Sequence, residues 1–194
     1  MIKKIQTAEE KERKEKRMRI FMTVFVIVIL GASTAGYALM ETQSSEKKSY
    51  NDFKFTQTEN GWQAKGMNFF TSYLPQDVEN ITVPSNSGNI SGNVYLIAIG
   101  TEERTAAIEL LRATSISKLN YACSAKDENS DYCSELPIKS CDDASQGNNI
   151  VIFERANETS VSYDNYCLTV KGESSELVKI ADRIIFDLYG IIKP

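Results

Sequence analysis

From Ile20 to Met40 the chain runs for 21 residues without a charged side chain. At about 1.5 Å of rise per residue, a helix of that length covers roughly 30 Å, the thickness of the hydrocarbon core of a bilayer. The run therefore predicts an N-terminal single transmembrane helix and divides the chain into four parts. Residues 1–19 form a charged cytoplasmic tail, 20–40 a signal anchor, 41–49 a polar linker, and 50–194 one extracytoplasmic domain. A competing reading is a cleaved signal peptide, because Ser33-Thr34-Ala35 offers small residues for cleavage after Ala35. Either reading exports the C-terminal domain.

Charge orients the anchor. Residues 1–19 hold eight Lys or Arg against four Glu, and basic flanks stay on the cytoplasmic side. The N-terminus is thus expected in the cytoplasm and the C-terminal domain outside the cell membrane. Of the chain's 22 basic and 26 acidic residues, 14 and 22 remain beyond the anchor, a balance of −8 that opposes nucleic acid. Within the tail, Thr7-Ala-Glu-Glu10 has capping-box spacing, and Glu12/Lys16 and Glu15/Arg19 stand four apart with the acid first, which favours a helix. Inside the anchor, Gly31 with Ala35 and Ala32 with Gly36 have the small-xxx-small spacing that lets two helices approach, so a weak homodimer through this face is an expectation.

The exported part begins rich in aromatics. Tyr50, Phe53, Phe55, Trp62, Phe69, Phe70 and Tyr73 are seven of the chain's 18, and the spacing predicts strands near 52–58, 61–66 and 68–73, with Asn60-Gly61 at a hairpin turn. After Pro75, a stretch with Pro84, Ser85, Ser87, Gly88 and Gly92 reads as a long surface loop. Val94 to Ile99 is a continuous apolar run, the pattern of a strand covered on both faces. Thr101-Glu-Glu then opens a helix expected over about 102–117, with Ala107, Ile108, Leu111 and Ser115 on one face.

The C-terminal portion repeats these signals. Ile150-Val-Ile-Phe153 and Tyr166 to Val170 read as strands, and Ser174 is expected to cap a helix whose Leu177, Ile180, Ala181, Ile184, Ile185 and Leu188 make one apolar stripe. Gly190 is placed to end that helix in a Schellman motif, with Ile191 folding back on Phe186. The expected fold class is α+β, a mainly antiparallel sheet covered by two long helices on one face.

Cys123, Cys133, Cys141 and Cys167 all fall in the exported part, where an oxidising compartment favours disulfides. Their gaps fit no zinc site, and the chain contains no histidine, so no metal or cofactor is expected. Four cysteines allow three connectivities; the favoured one is Cys123 with Cys133 and Cys141 with Cys167, which would pin a loop poor in apolar residues. That loop is acidic, and Asp127-x-Asn129-x-Asp131 matches the start of a calcium loop, but Tyr132 and Ile138 stand where such a loop needs Gly and Glu. Asn80, Asn89 and Asn157 head glycosylation sequons, usable only in a suitable host.

Candidate catalysis is thin. Without histidine, Ser-His and Cys-His pairs are excluded. Ser115-Ile-Ser-Lys118 has Ser-x-x-Lys spacing, yet it lacks the companion tripeptides and sits near a helix end rather than a start. The sequence thus points to a single-pass membrane protein presenting an extracytoplasmic binding or scaffold domain, an accessory or sensory subunit of a membrane or envelope assembly with a protein partner. An exported hydrolase of unknown type is the alternative.

Overall fold

A computed structural model describes residues 8–40 and 46–192, which belong to two units, Met1–Ser45 and Glu46–Pro194. In the first unit Ala8–Met40 form a single helix, α1. Its charged turns give way after Arg19 to Ile20–Leu30, whose large apolar side chains are exposed around the whole circumference, with Phe21 at 66%, Ile27 at 63% and Leu30 at 60%. Among the described residues no helix is long and apolar enough to cross a membrane. The side chains of Gly31, Ala32, Ala35 and Gly36, the cleavage motif and the Thr7 capping box lie outside the described residues.

The second unit contains two sheets. Lys47–Tyr50 (β1), Phe53–Thr58 (β2) and Gly61–Ala64 (β3) make an antiparallel meander. The hairpin between β2 and β3 turns where Asn60-Gly61 predicts it, and Gly61 takes a φ of 114° that a side chain would oppose. Strand pairing begins at Lys47, so the linker expected to run to residue 49 ends earlier. Residues 68–73 are not a strand; Thr71 makes a single bridge to Trp62, exchanging N–H donations in both directions. Pro75–Val78 (α2) is one helical turn inside the expected surface loop, and Val83, Ser87 and Ile90 of that loop are buried.

Ser91–Ile97 (β4), Ser115–Ala122 (β5), Asn148–Arg155 (β6), Ser160–Asp164 (β7) and Cys167–Gly172 (β8) form the second sheet in the order β5-β4-β6-β8-β7. The expectation of a mainly antiparallel sheet is corrected by this pairing: β4 lies parallel with β5 and β6, β6 lies parallel with β8, and only the β7–β8 pair is antiparallel. The fold remains α+β in composition, with one antiparallel and one mixed sheet. The parallel pairing stems from the helix after β4. Thr101–Arg112 (α3) stops at Arg112, five residues short of the expected end, because the Ala113 N–H closes back on the Leu110 carbonyl and Thr114 donates both its N–H and its hydroxyl to the Leu111 carbonyl. Ser115, expected on the helical face, instead begins β5, which completes a strand-helix-strand crossover.

Ser174–Leu188 (α4) comes after β8 and ends as its sequence predicts. Gly190, at φ 66°, donates to the Asp187 carbonyl, and Ile191 donates to Phe186, the two bonds of a Schellman motif. The stripe from Leu177 to Ile185 is fully buried, and so are Asp182, Arg183 and Phe186 on other faces. The reason is that α4 lies between the sheets. Phe186 meets Phe55 of β2 edge to face, while Ile180 and Ile184 share a core with Val151, Leu168 and Val170 of the larger sheet.

The opposite face of that sheet carries Tyr95, Ile97, Ile150 and Ile152 and is covered by residues 123–147. This segment holds three short 3-10 turns, Ala125–Asp127, Asp131–Cys133 and Cys141–Asp143. Disulfides join Cys123 to Cys133 and Cys141 to Cys167, so the second bridge ties the segment to β8. The step from β4 to β5 and the step from β5 to β6 run in opposite directions across the sheet. Connections of one hand must then use opposite faces, which is where α3 and the disulfide segment are found.

Candidate functional site

That reversal creates a topological switch point between β4 and β6, and in open sheets of this kind ligands settle outside the carboxyl ends of the strands at such a point. A cavity of about 460 Å³ lies there. Its floor and walls are Ile97, Ile99, Ile152 and Phe153 from the ends of β4 and β6, and its rim is Gly100 and Glu103 of the α3 start, Ser124, Lys126 and Asp127 of the disulfide segment, and Glu154, Arg155 and Lys171. The disulfide segment is held over the crevice from both ends. Cys123 is fully buried at its base, and Arg104 of α3 stacks its guanidinium on Tyr132 at 4.9 Å while donating to the Ile99 carbonyl.

The rim carries three acids and three bases, and most of them are already paired. Lys126 and Lys171 both reach Glu154, at 2.5 and 3.6 Å. The Lys126 hydrogen bond holds the Glu154 carboxyl below its ordinary range. The Ser124 hydroxyl donates to Asp127 within its own turn, and Arg155 Nε donates to the Ser174 hydroxyl at 2.6 Å. Glu103 is different. It is 8% exposed, its Oε2 is sealed from solvent without a hydrogen-bond partner, and its side chain makes no ion pair or hydrogen bond with any described residue. A buried carboxylate oxygen without a donor is costly and calls for an explanation, of which a role in holding a ligand is one.

Glycine at position 100 makes this placement possible. A Cβ there would stand 1.8 Å from Glu103 Oε2, so any other residue would evict the carboxylate. The sequence shows Glu103 only as one of two acids in a helix's first turn, whose ordinary role is to face the positive end of the helix dipole. Its burial against Gly100 depends on the β4-to-α3 turn and has no sequence signal.

A larger cavity of about 790 Å³ lies between Phe69, Phe70 and Ser72 on one side and Arg104, Glu109 and Arg112 of α3 on the other. Its polar groups Ser72, Glu109 and Arg104 are spent within the protein, while Arg112 is exposed. Ser72 donates both its N–H, at 2.7 Å, and its hydroxyl to Glu109, and Arg104 donates to the carbonyls of Ile99 and Gly100. The smaller crevice has the stronger claim, because its Glu103 lacks a partner.

The sequence-nominated residues fall elsewhere. Asn80, Asn89 and Asn157 are all exposed, and Asn89 donates its side-chain N–H to Asn86. Ser115 and Lys118 stand on edge strand β5, where a bulge at Ser117 sets them opposite Ser91 and Asn93 of β4 and so on one face, and neither makes a side-chain hydrogen bond or ion pair with a described residue. Asp127 and Asp131 belong to separate 3-10 turns, and no cluster of three or more acidic or cysteine side chains among the described residues could hold a metal. No family model, curated protein or solved structure matches the chain.

Proposed function

We propose that the chain is a bitopic membrane protein, anchored by residues 20–40 with its N-terminus in the cytoplasm, that presents residues 46–194 outside as a binding domain. It acts as a sensory, scaffolding or accessory subunit of a membrane or envelope assembly, with the crevice at the carboxyl ends of β4 and β6 as its ligand site. The observation that carries the binding role is Glu103, an unpartnered carboxylate beside a cavity whose other charges already have partners among the described residues.

Three features support the anchor. The 21 uncharged residues match a bilayer in length, the basic excess precedes them, and the large side chains of Ile20–Leu30 are exposed on every side of α1, a surface that calls for an apolar surrounding. Two disulfides in the domain fit an oxidising compartment.

The test has two arms. Full-length protein expressed in cells should resist extraction from membranes by alkaline carbonate, and external protease should reach the domain in intact cells; recovery in the carbonate supernatant, or a mature N-terminus at Gly36, would overturn the anchor. Ligand-observed NMR with a mixed fragment set should detect binders that an Ile99→Trp variant, which fills the crevice, no longer takes. An unchanged hit list would remove the crevice from consideration.

A further inference from the structure

We propose that this crevice receives a small organic cation, a primary ammonium on an apolar body, with Glu103 as its counter-ion. The inference rests on the reading of the crevice as a ligand site and adds its chemistry. Oε2 of Glu103 is sealed against Gly100 and has no partner. Oε1 makes no hydrogen bond either and is not sealed from solvent, and Glu103 lines the cavity. The bases around the crevice make their contacts elsewhere: Lys126 and Lys171 with Glu154, Arg155 with the Ser174 hydroxyl, and Arg104 with backbone carbonyls and the Tyr132 ring.

What Glu103 lacks is a donor of its own, and it lacks it beside an apolar wall of Ile97, Ile99, Ile152 and Phe153. A divalent metal would need about six oxygen ligands, and the described residues offer no cluster of three acids. An anion would meet Glu103 directly. The N-terminus of α3 opposes a cation, but its equivalent of about half a charge is smaller than the full charge on the carboxylate next to it. A cavity of about 460 Å³ is large enough for a ligand of ring or short-chain size.

The experiment uses the full chain in detergent micelles and three probes of one shape: benzylammonium, benzyl alcohol and benzoate, titrated by calorimetry. Benzylammonium is expected to bind at least tenfold more tightly than the alcohol, with benzoate weakest. Glu103→Gln should erase that preference by about tenfold or more while far-UV circular dichroism stays unchanged. Gly100→Ala, tolerated by a φ of −70° but displacing the carboxylate, should weaken benzylammonium without removing any charge. If Glu103→Gln fails to fold, Gly100→Ala still decides. Equal binding of the ammonium and the alcohol, or binding unaffected by both variants, overturns the cation assignment. In that case loss of all binding in Ile99→Trp keeps the crevice as a ligand site, and binding that survives Ile99→Trp removes the crevice as well. Absence of benzylammonium binding to the unaltered chain overturns the cation assignment outright, with the other two probes and Ile99→Trp deciding the crevice.

Discussion

The backbone N–H of Tyr73 donates to Oδ2 of Asp182 at 2.8 Å, tying the segment after the small sheet to the middle of α4 across 109 residues of sequence. Asp182 is fully buried, and its other oxygen, Oδ1, has no donor. Burial first, and then the neighbouring Glu109 carboxylate, push the Asp182 carboxyl up to about 10. Asp182 therefore holds a proton in the native protein at neutral pH, which removes the repulsion between the two carboxyls. Glu109 in turn accepts from the N–H and hydroxyl of Ser72, so one pair of acids locks residues 72–73 onto both long helices.

That proton makes stability depend on pH. In the unfolded chain an aspartate ionises near pH 4, so between about 4 and 10 the folded state binds a proton that the unfolded state has lost. The contribution of this site to stability is fully present below about pH 4 and falls as pH rises through that window. Asp182→Asn imitates the protonated acid, with one oxygen for Tyr73 and an N–H for Glu109. Urea denaturation is expected to show Asn within about 1 kcal/mol of the natural residue at pH 5 and more stable than it at pH 9, whereas Asp182→Ala loses about 1–3 kcal/mol by leaving the Tyr73 N–H unpaired. A natural protein whose stability rises from pH 5 to 9 relative to the Asn variant would refute the protonated pair.

The two disulfides should contribute unequally. Cys141–Cys167 closes a span of 26 residues and fastens the disulfide segment to β8, whereas Cys123–Cys133 closes only 10. Chain entropy alone gives about 3.5 kcal/mol for the first and about 2.7 for the second. Thermal denaturation of Cys141→Ser/Cys167→Ser and of Cys123→Ser/Cys133→Ser is expected to rank them in that order. The longer bridge should also govern protease sensitivity of residues 123–147, since its loss frees the segment's attachment to the sheet.

What the sequence made legible was local. The stripe of α4 and its Gly190 ending could be read because each residue's role is set by neighbours within four positions. Strand β5 could not. Its Ser-Ile-Ser-Lys-Leu-Asn-Tyr-Ala lies at an exposed sheet edge with only a weak apolar alternation, and the preceding Ala107, Ile108 and Leu111 draw a helical reading past Arg112. Missing β5 hid the crossover, and with it the parallel pairing and the switch point. Asp182 was equally silent, because an acid beside an apolar stripe ordinarily faces water; in this fold residues 72–73 and Glu109 of α3 cover that side of the helix, which only the tertiary arrangement reveals.

Phe186 is where the covering of α4 by the small sheet can be measured. Its ring meets Phe55 of β2 at 6.0 Å between centroids and 88° between planes, with both residues fully buried. Since the three-stranded sheet is small, this contact is a large part of what holds it against α4. Phe186→Ala is expected to cost about 3–5 kcal/mol in global stability, and Phe186→Leu less, because it keeps most of the volume. The informative readout is hydrogen exchange. If the small sheet depends on this contact, amides of β2 and β3 in Phe186→Leu should exchange faster than those of β4 and β6, which are held by parallel pairing and by the α3 side of the core. Uniform acceleration across both sheets would mean that they unfold as one cooperative unit and that the contact has no local role.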